Sequence, residues 1–192
     1  MIDINVRKLK PYLITLDENS PEVDMKSMKD SGVVGALICA GHLFTANHVR
    51  LDVKANWFRN PKMTSQIKLA KEFDLDFGLY FYARAQSKYN VEDEIKGISN
   101  IIRNNYASLG VWLVPDLTAN KSINDSLLDT YYKELQKLGV TERVGIYCTR
   151  SFLSKITWTN HCNRWYLWLV EHVDDMSVLD TVLDPEFFNV ET

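Results

Sequence analysis

The chain has 192 residues with a formal net charge of -3, 46% apolar and 24% charged residues, which is enough for one substantial core and is the composition of a folded globular domain. Lys and Arg are not in excess and no basic run is interleaved with aromatics, so no nucleic-acid partner is expected. No apolar stretch approaches the roughly 20 residues that span a bilayer, and Met1-Ile2-Asp3-Ile4-Asn5-Val6-Arg7-Lys8 lacks the order of a secretory signal; the expectation is a soluble product made in the cytoplasm, with no membrane partner.

In chain order, Tyr12 to Leu16 reads as a first strand. Asp24 follows as the cap of a short helix ending at Asp30, with Gly32 just past it. Val33 to Ala40 is a second strand, followed by a long polar and aromatic loop. Ile67, Leu69, Ala70 and Phe73 form a helical stripe before a third strand, Phe77 to Tyr82. Asn90 is placed as the cap of a helix whose buried stripe is Ile95, Ile98, Ile102 and Tyr106, and Gly110 opens the strand to Val114. Ser122 is placed as the next cap, on a helix carrying Leu127, Leu128, Tyr131, Leu135 and Leu138 and stopped at Gly139. Val144 to Cys148 and Trp165 to Val170 complete the strands.

Apolar strands alternating with amphipathic helices imply an α/β fold of parallel strands covered by helices, either an open doubly wound sheet or a barrel. The absence of Gly-x-Gly-x-x-Gly and of a Gly-Lys-Ser/Thr loop weakens the nucleotide-binding sheet, leaves the barrel ahead, and gives no reason to expect a cofactor. His42, His48, His161 and His172 show no zinc-ligand spacing, so no metal is expected. Cys39, Cys148 and Cys162 are widely spaced; a reducing compartment fits, with Cys39 and Cys148 as small buried hydrophobes.

In a parallel barrel the reacting groups sit at the carboxyl ends of strands. Those positions hold Asp17, His42, Arg84, Asp116, Thr149 with Arg150, and Glu171 with His172. Tyr80, Tyr82, Trp112, Tyr147 and Trp168 lie in the same strands. Two readings stand side by side: aromatic core packing, or a carbohydrate groove in which aromatic faces stack beside acids.

Gly78-Leu79-Tyr80-Phe81-Tyr82-Ala83-Arg84-Ala85 resembles the third-strand signature of glycoside hydrolase family 25, the lysozymes that cleave peptidoglycan. Ser31 to Val33 with Leu37 to Gly41, the Asp52, Asn56, Trp57, Phe58 segment, Gly145 to Thr149, Tyr166 to Val170 and Leu183 to Phe188 are similar to further segments of that family in the same order. The resemblance implies an irregular (β/α)8-like, TIM-type barrel forming a single domain over residues 1–192. It also implies peptidoglycan or a related glycan as partner, with Tyr80, Tyr82, Arg84, Trp112, Tyr147 and Trp168 as substrate-binding residues.

The catalytic pattern departs from the family. The family's fourth strand ends in Asp-x-Glu, whereas this chain reads Val114-Pro115-Asp116; a shifted alignment puts Asp116 and Thr118 there instead. In the first strand Thr15 stands at the acid position of Ile-Asp-Val-Ser, with Asp17 two residues on and on the same strand face. Asp184 matches the family's late aspartate. The catalytic candidates are therefore Asp116, Asp17 and Asp184. A shorter donor, and a missing neighbour whose charge would raise its pKa, both weaken acid catalysis. The expectation is a non-catalytic or strongly impaired cell-wall-binding or structural module, such as part of a phage particle. An active muramidase using Asp116 as acid is the alternative. A third reading makes the surroundings of Trp57, Trp158 and Trp165 a contact surface for other protein subunits.

Overall fold

The structure is a computed structural model that describes residues 12–43, 57–105, 107–115, 123–140 and 143–170. The β-branched and aromatic runs pair into one sheet made of β1 (Tyr12–Leu16), β2 (Val33–Leu43), β3 (Trp57–Arg59), β4 (Asp76–Ala83), β5 (Val111–Pro115), β6 (Val144–Thr149) and β7 (Tyr166–Val170). The sheet order is β1-β2-β4-β5-β6-β7, with β3 paired to β2. All neighbours along that order are parallel; β3 alone runs antiparallel, through Gly41↔Arg59, His42↔Phe58 and Leu43↔Trp57. The sheet is curled into part of a barrel with helices packed on it, the α/β barrel-type architecture expected from the alternation.

Parallel strands linked through helices bury both faces, and the two-residue period assigns the side chains to them. Ala36, Ile38 and Ala40 of β2, Phe77, Leu79 and Phe81 of β4, Leu113 of β5 and Ile146 of β6 join the main core with the helices. The alternate residues Leu37, Cys39 and Tyr80 form a second cluster, against which Tyr82, Trp112, Val114 and Trp168 pack. The candidate groove belongs to this second face.

The helices are α1 (Met25–Asp30), α2 (Met63–Glu72), α3 (Lys88–Asn104), α4 (Asp125–Lys137) and α5 (Arg150–Leu153). Asp24 caps α1 as expected, accepting from the Ser27 N–H at 3.1 Å. Two caps differ from the sequence reading. Ser87 caps α3 and Asn90 lies in its first turn, donating its N–H to Ser87 Oγ at 3.3 Å. Asn124 caps α4, accepting from Leu127 N–H at 3.1 Å; Ser122 lies outside the described residues. Ser, Asn and Asp cap almost equally well, so clustered capping residues leave a helix start ambiguous until packing selects one. The strand β3 falls inside the segment read as a loop, because three residues carry no measurable period.

Candidate functional site

A cavity of about 110 Å³ lies on the inner face, lined by Thr15, Asp17, Leu37, Tyr80, Tyr82, Val114 and Tyr147. It approaches the ~150 Å³ that holds a benzene ring. The lining residues converge because the strands are parallel and in register: Thr15 pairs with Leu37 and Tyr82 with Val114. Successive same-face residues of adjacent strands must then lie side by side.

Asp17 is the acid that the described chain places on this cavity. Its Oδ1 accepts from Asn19 N–H at 2.9 Å, Ser20 N–H at 2.8 Å and Ser20 Oγ at 3.0 Å, while its own N–H donates to Ser20 Oγ at 2.9 Å. Short polar side chains form such turns by capturing nearby backbone donors. The turn is anchored from below. Gln66 of α2 donates to the Asp17 carbonyl at 2.9 Å, and buried Asn60 donates to the Cys39 carbonyl and to Gln66 Oε1, both at 3.0 Å. The end of β1 is thus tied to β2 and α2 by a buried amide pair.

Glu18 follows Asp17 in the turn-forming run Asp17-Glu18-Asn19-Ser20-Pro21, which ends the strand alternation, and it is not among the residues lining the cavity.

Among the aromatics, Tyr80 and Tyr82 meet edge to face with centroids 5.8 Å apart. Tyr147 meets Trp168 at 5.3 Å, and Trp168 meets Trp112 at 6.0 Å, both nearly perpendicular. Tyr80, Tyr82 and Tyr147 line the cavity; Trp112 and Trp168 support it from the inner face. Trp112 donates its indole N–H to the Leu109 carbonyl at 2.7 Å. It lies flat over its register partner Gly145, where a Cβ would sit 2.2 Å from the ring. Burial pushes the phenols of Tyr80, Tyr82 and Tyr147 upward and the Cys39 thiol to about 12. These groups are neutral near pH 7 and can donate and accept hydrogen bonds without acting as acids.

Arg84 follows β4 and is not among the residues lining the cavity. Its N–H donates to Glu94 Oε1 at 2.9 Å, the Tyr131 hydroxyl donates to Glu94 Oε2, and Ala85 N–H donates to the Tyr131 oxygen at 3.3 Å. Glu94 of α3 and Tyr131 of α4, both 0% exposed, therefore clamp the turn leaving β4. Burial raises the Glu94 carboxyl to about 8, against the opposing pull of the Tyr131 and Arg84 hydrogen bonds.

Because the folded value is raised above 4.5, the protonated form is the one the fold favours. Its contribution to stability is complete below about pH 4.5 and lost as pH rises through about 8. The melting temperature of the wild type relative to Glu94→Gln is expected to fall between those limits. A difference that is flat from pH 5 to 8 would contradict this assignment.

Asp116 and Asp184, with His48, Glu171 and His172, lie outside the described residues. Thr149 Oγ1 accepts from Phe152 N–H at 3.4 Å and begins α5. His161, 0% exposed, binds Asp125 Oδ1 at 2.9 Å and ties the segment before β7 to α4, a structural role. Among the described residues no group of His, Cys, Asp and Glu is arranged to hold a metal, and no helix is long and apolar enough to cross a membrane. Trp165 is 3% exposed, and Trp57 and Trp158 pack against the main core. Trp57 and Trp158 remain partly exposed.

A curled parallel sheet, helices on one face and an aromatic cavity on the other define a (β/α)-barrel-type protein. Its fold is the lysozyme-like fold of glycoside hydrolase family 25. The CTP1L endolysin superposes with a TM-score of 0.63 at 17% identity, covering 84% of this chain and 53% of that one. GHIP, a glycosyl hydrolase 25 of Streptococcus pneumoniae, gives 0.66 at 15%, covering 85% and 70%. The modular autolysin LytC of the same species, in complex with a synthetic peptidoglycan ligand, gives 0.63 at 16%, covering 85% and 38%. The chain thus spans about half of the CTP1L endolysin and less than half of LytC. No protein-family model and no curated protein sequence matches the chain.

Proposed function

We propose that this domain is peptidoglycan-directed, holding a glycan at the Tyr80, Tyr82 and Tyr147 cavity, and that its hydrolytic power is lost or strongly impaired. The observation that carries this reading is the composition of the cavity wall. Thr15 and Val114, the two positions that correspond by resemblance to family acids, both line it without a carboxylate. Glycoside cleavage by this class of enzyme uses two carboxyl groups about 5 to 10 Å apart, one protonated and one stabilising positive charge. Asp17 lines the same cavity, but three donors of its own turn converge on Oδ1, which engages its carboxylate in holding the turn. Phenol faces and hydroxyls remain, and they suit sugar rings, which offer apolar C–H faces and polar edges. A soluble module carried in a larger assembly, such as a phage particle, fits this reading.

The alternative is a muramidase using Asp116 as acid with Asp17 or Asp184 as second group; the position of Asp17 on the cavity favours it. Co-sedimentation with insoluble peptidoglycan and release of reducing ends separate the two. The expected result is binding without turnover, and binding weakened about fivefold by Tyr147→Ala, as loss of a stacking face worth ~1 kcal/mol implies. Turnover that disappears in Asp116→Asn would establish the muramidase instead. No sedimentation at all would remove peptidoglycan as the partner.

A further inference from the structure

We infer that the amino end of the barrel is a docking site for an acidic peptide segment carrying apolar side chains, a function separate from the inner-face cavity and independent of the glycan reading. A second cavity, of about 570 Å³, opens where α3 and α4 end and β5 and β6 begin. That volume lies within the roughly 300 to 1,000 Å³ of ordinary ligand sites. Because the strands are parallel, it stands at the opposite end of the sheet from Asp17 and Tyr147. Its apolar wall is Ile102 of α3, Ala107 on the way into β5, and Leu138 and Val140 after α4. All four are half-buried and pack against the main core.

The charge on this cavity has one sign. Arg103 and Arg143 line it, both exposed, and no Asp or Glu does among the described residues. Arg143 donates from Nη1 to the Ser108 carbonyl, which fixes its guanidinium beside the cavity. The Arg103 guanidinium has no hydrogen-bond or ion-pair partner among the described residues. Lys137, in the last turn of α4, shows the contrast: it pairs with Glu134 and stands outside the cavity. Guanidinium forks match carboxylates, and charge-assisted bonds of that kind are the strong ones. The two helix ends decide which anion fits. Their final carbonyls carry the negative pole of each helix and accept hydrogen bonds. A phosphate brings dense negative charge and no N–H to that environment. A peptide brings backbone N–H groups for the carbonyls, carboxylates for the arginines and apolar side chains for the wall.

The test is an NMR titration of the full, isotope-labelled chain with the end-blocked peptide Asp-Leu-Asp-Leu-Asp-Leu, beside its Lys-Leu and Asp-Ser counterparts. With the Asp-Leu peptide the amides of Ile102, Ala107, Leu138 and Val140 are expected to shift while those of Tyr80, Tyr82 and Tyr147 stay in place, and added salt should weaken the binding. The Asp-Ser peptide should bind at least about tenfold more weakly, having no leucines to bury, and the Lys-Leu peptide should not bind. Arg103→Gln should lower the affinity for the Asp-Leu peptide about tenfold, the loss of a hydrogen bond to a charged group. The three peptides are compared on the wild type alone, so that comparison decides the question even where the variant is destabilised. An absence of shifts around the cavity, or equal binding of the Lys-Leu peptide, overturns the inference. Inorganic phosphate that shifts the same amides as strongly as the peptide assigns the cavity to a simple anion. Concentration-dependent dimerisation that Arg103→Gln abolishes assigns it to a second copy of this chain. Either result overturns the peptide assignment.

Discussion

Glu94→Ala is expected to lower stability by about 3 to 5 kcal/mol, the combined cost of unmade buried hydrogen bonds and a cavity. Two effects add. Removing the carboxyl leaves the Tyr131 hydroxyl and the Arg84 N–H without their acceptor in an interior where Glu94 and Tyr131 are 0% exposed, and each orphaned group costs about 1 to 3 kcal/mol. The vacated side-chain volume then adds a cavity term between α3 and α4. Tyr131→Phe should cost less, about 2 kcal/mol, because it removes the hydroxyl but keeps the ring packed against Phe81 at 6.1 Å. Urea unfolding at pH 5 checks both variants, and a Glu94→Ala midpoint equal to wild type would show that the clamp is not structural. Weakened glycan binding is also expected, since the clamped turn begins two residues after Tyr82, which lines the cavity.

Gly110→Ala is the second substitution with a large expected effect, roughly 3 kcal/mol or more. Gly110 has φ +80°, and a Cβ there would stand 2.0 Å from the Arg143 carbonyl oxygen. The left-handed backbone alone costs an L-residue about 1 to 2 kcal/mol. The clash is with backbone, so it cannot be relieved by a rotamer change. The oxygen that must move is the acceptor of the Val111 N–H at 2.9 Å, the bond that starts the pairing of β5 with β6. The Gly110 carbonyl in turn accepts from Leu79 N–H at 3.0 Å on the other side. For a chain of this length the melting temperature should fall by about 6 to 12 °C. Near-ultraviolet circular dichroism should change with it, because Trp112 is two residues into the disturbed segment. An unchanged melting temperature would mean that β5 starts by another route.

Much of the architecture was legible before any coordinates. The strands carry apolar runs bounded by Gly, Asp and Asn, and α3 and α4 carry clear 3.6-residue stripes whose members Ile95, Ile98, Leu127, Leu128, Tyr131 and Leu135 are all buried. Tyr80 and Tyr82 were legible as same-face neighbours for the same reason. The buried Glu94 was not. It sits between apolar positions of α3 as one more charged helix residue, and only α4 arriving with the Tyr131 hydroxyl explains why it is inside. Asn60 and Gln66 are similar: single amides in sequence, a buried pair once β2, β3 and α2 meet.

Local periodicity, cap chemistry and turn residues act over a few positions, so the chain on its own set the strands, the helices, their alternation and the parallel sheet that alternation demands. Which side chains share a cavity depends on strand register and on where each strand stops, and those are decided by contacts between residues far apart in sequence. Thus Thr15, Leu37, Val114 and Tyr147 became one wall through register alone. The end of β1 is likewise held by Gln66, 49 positions from Asp17.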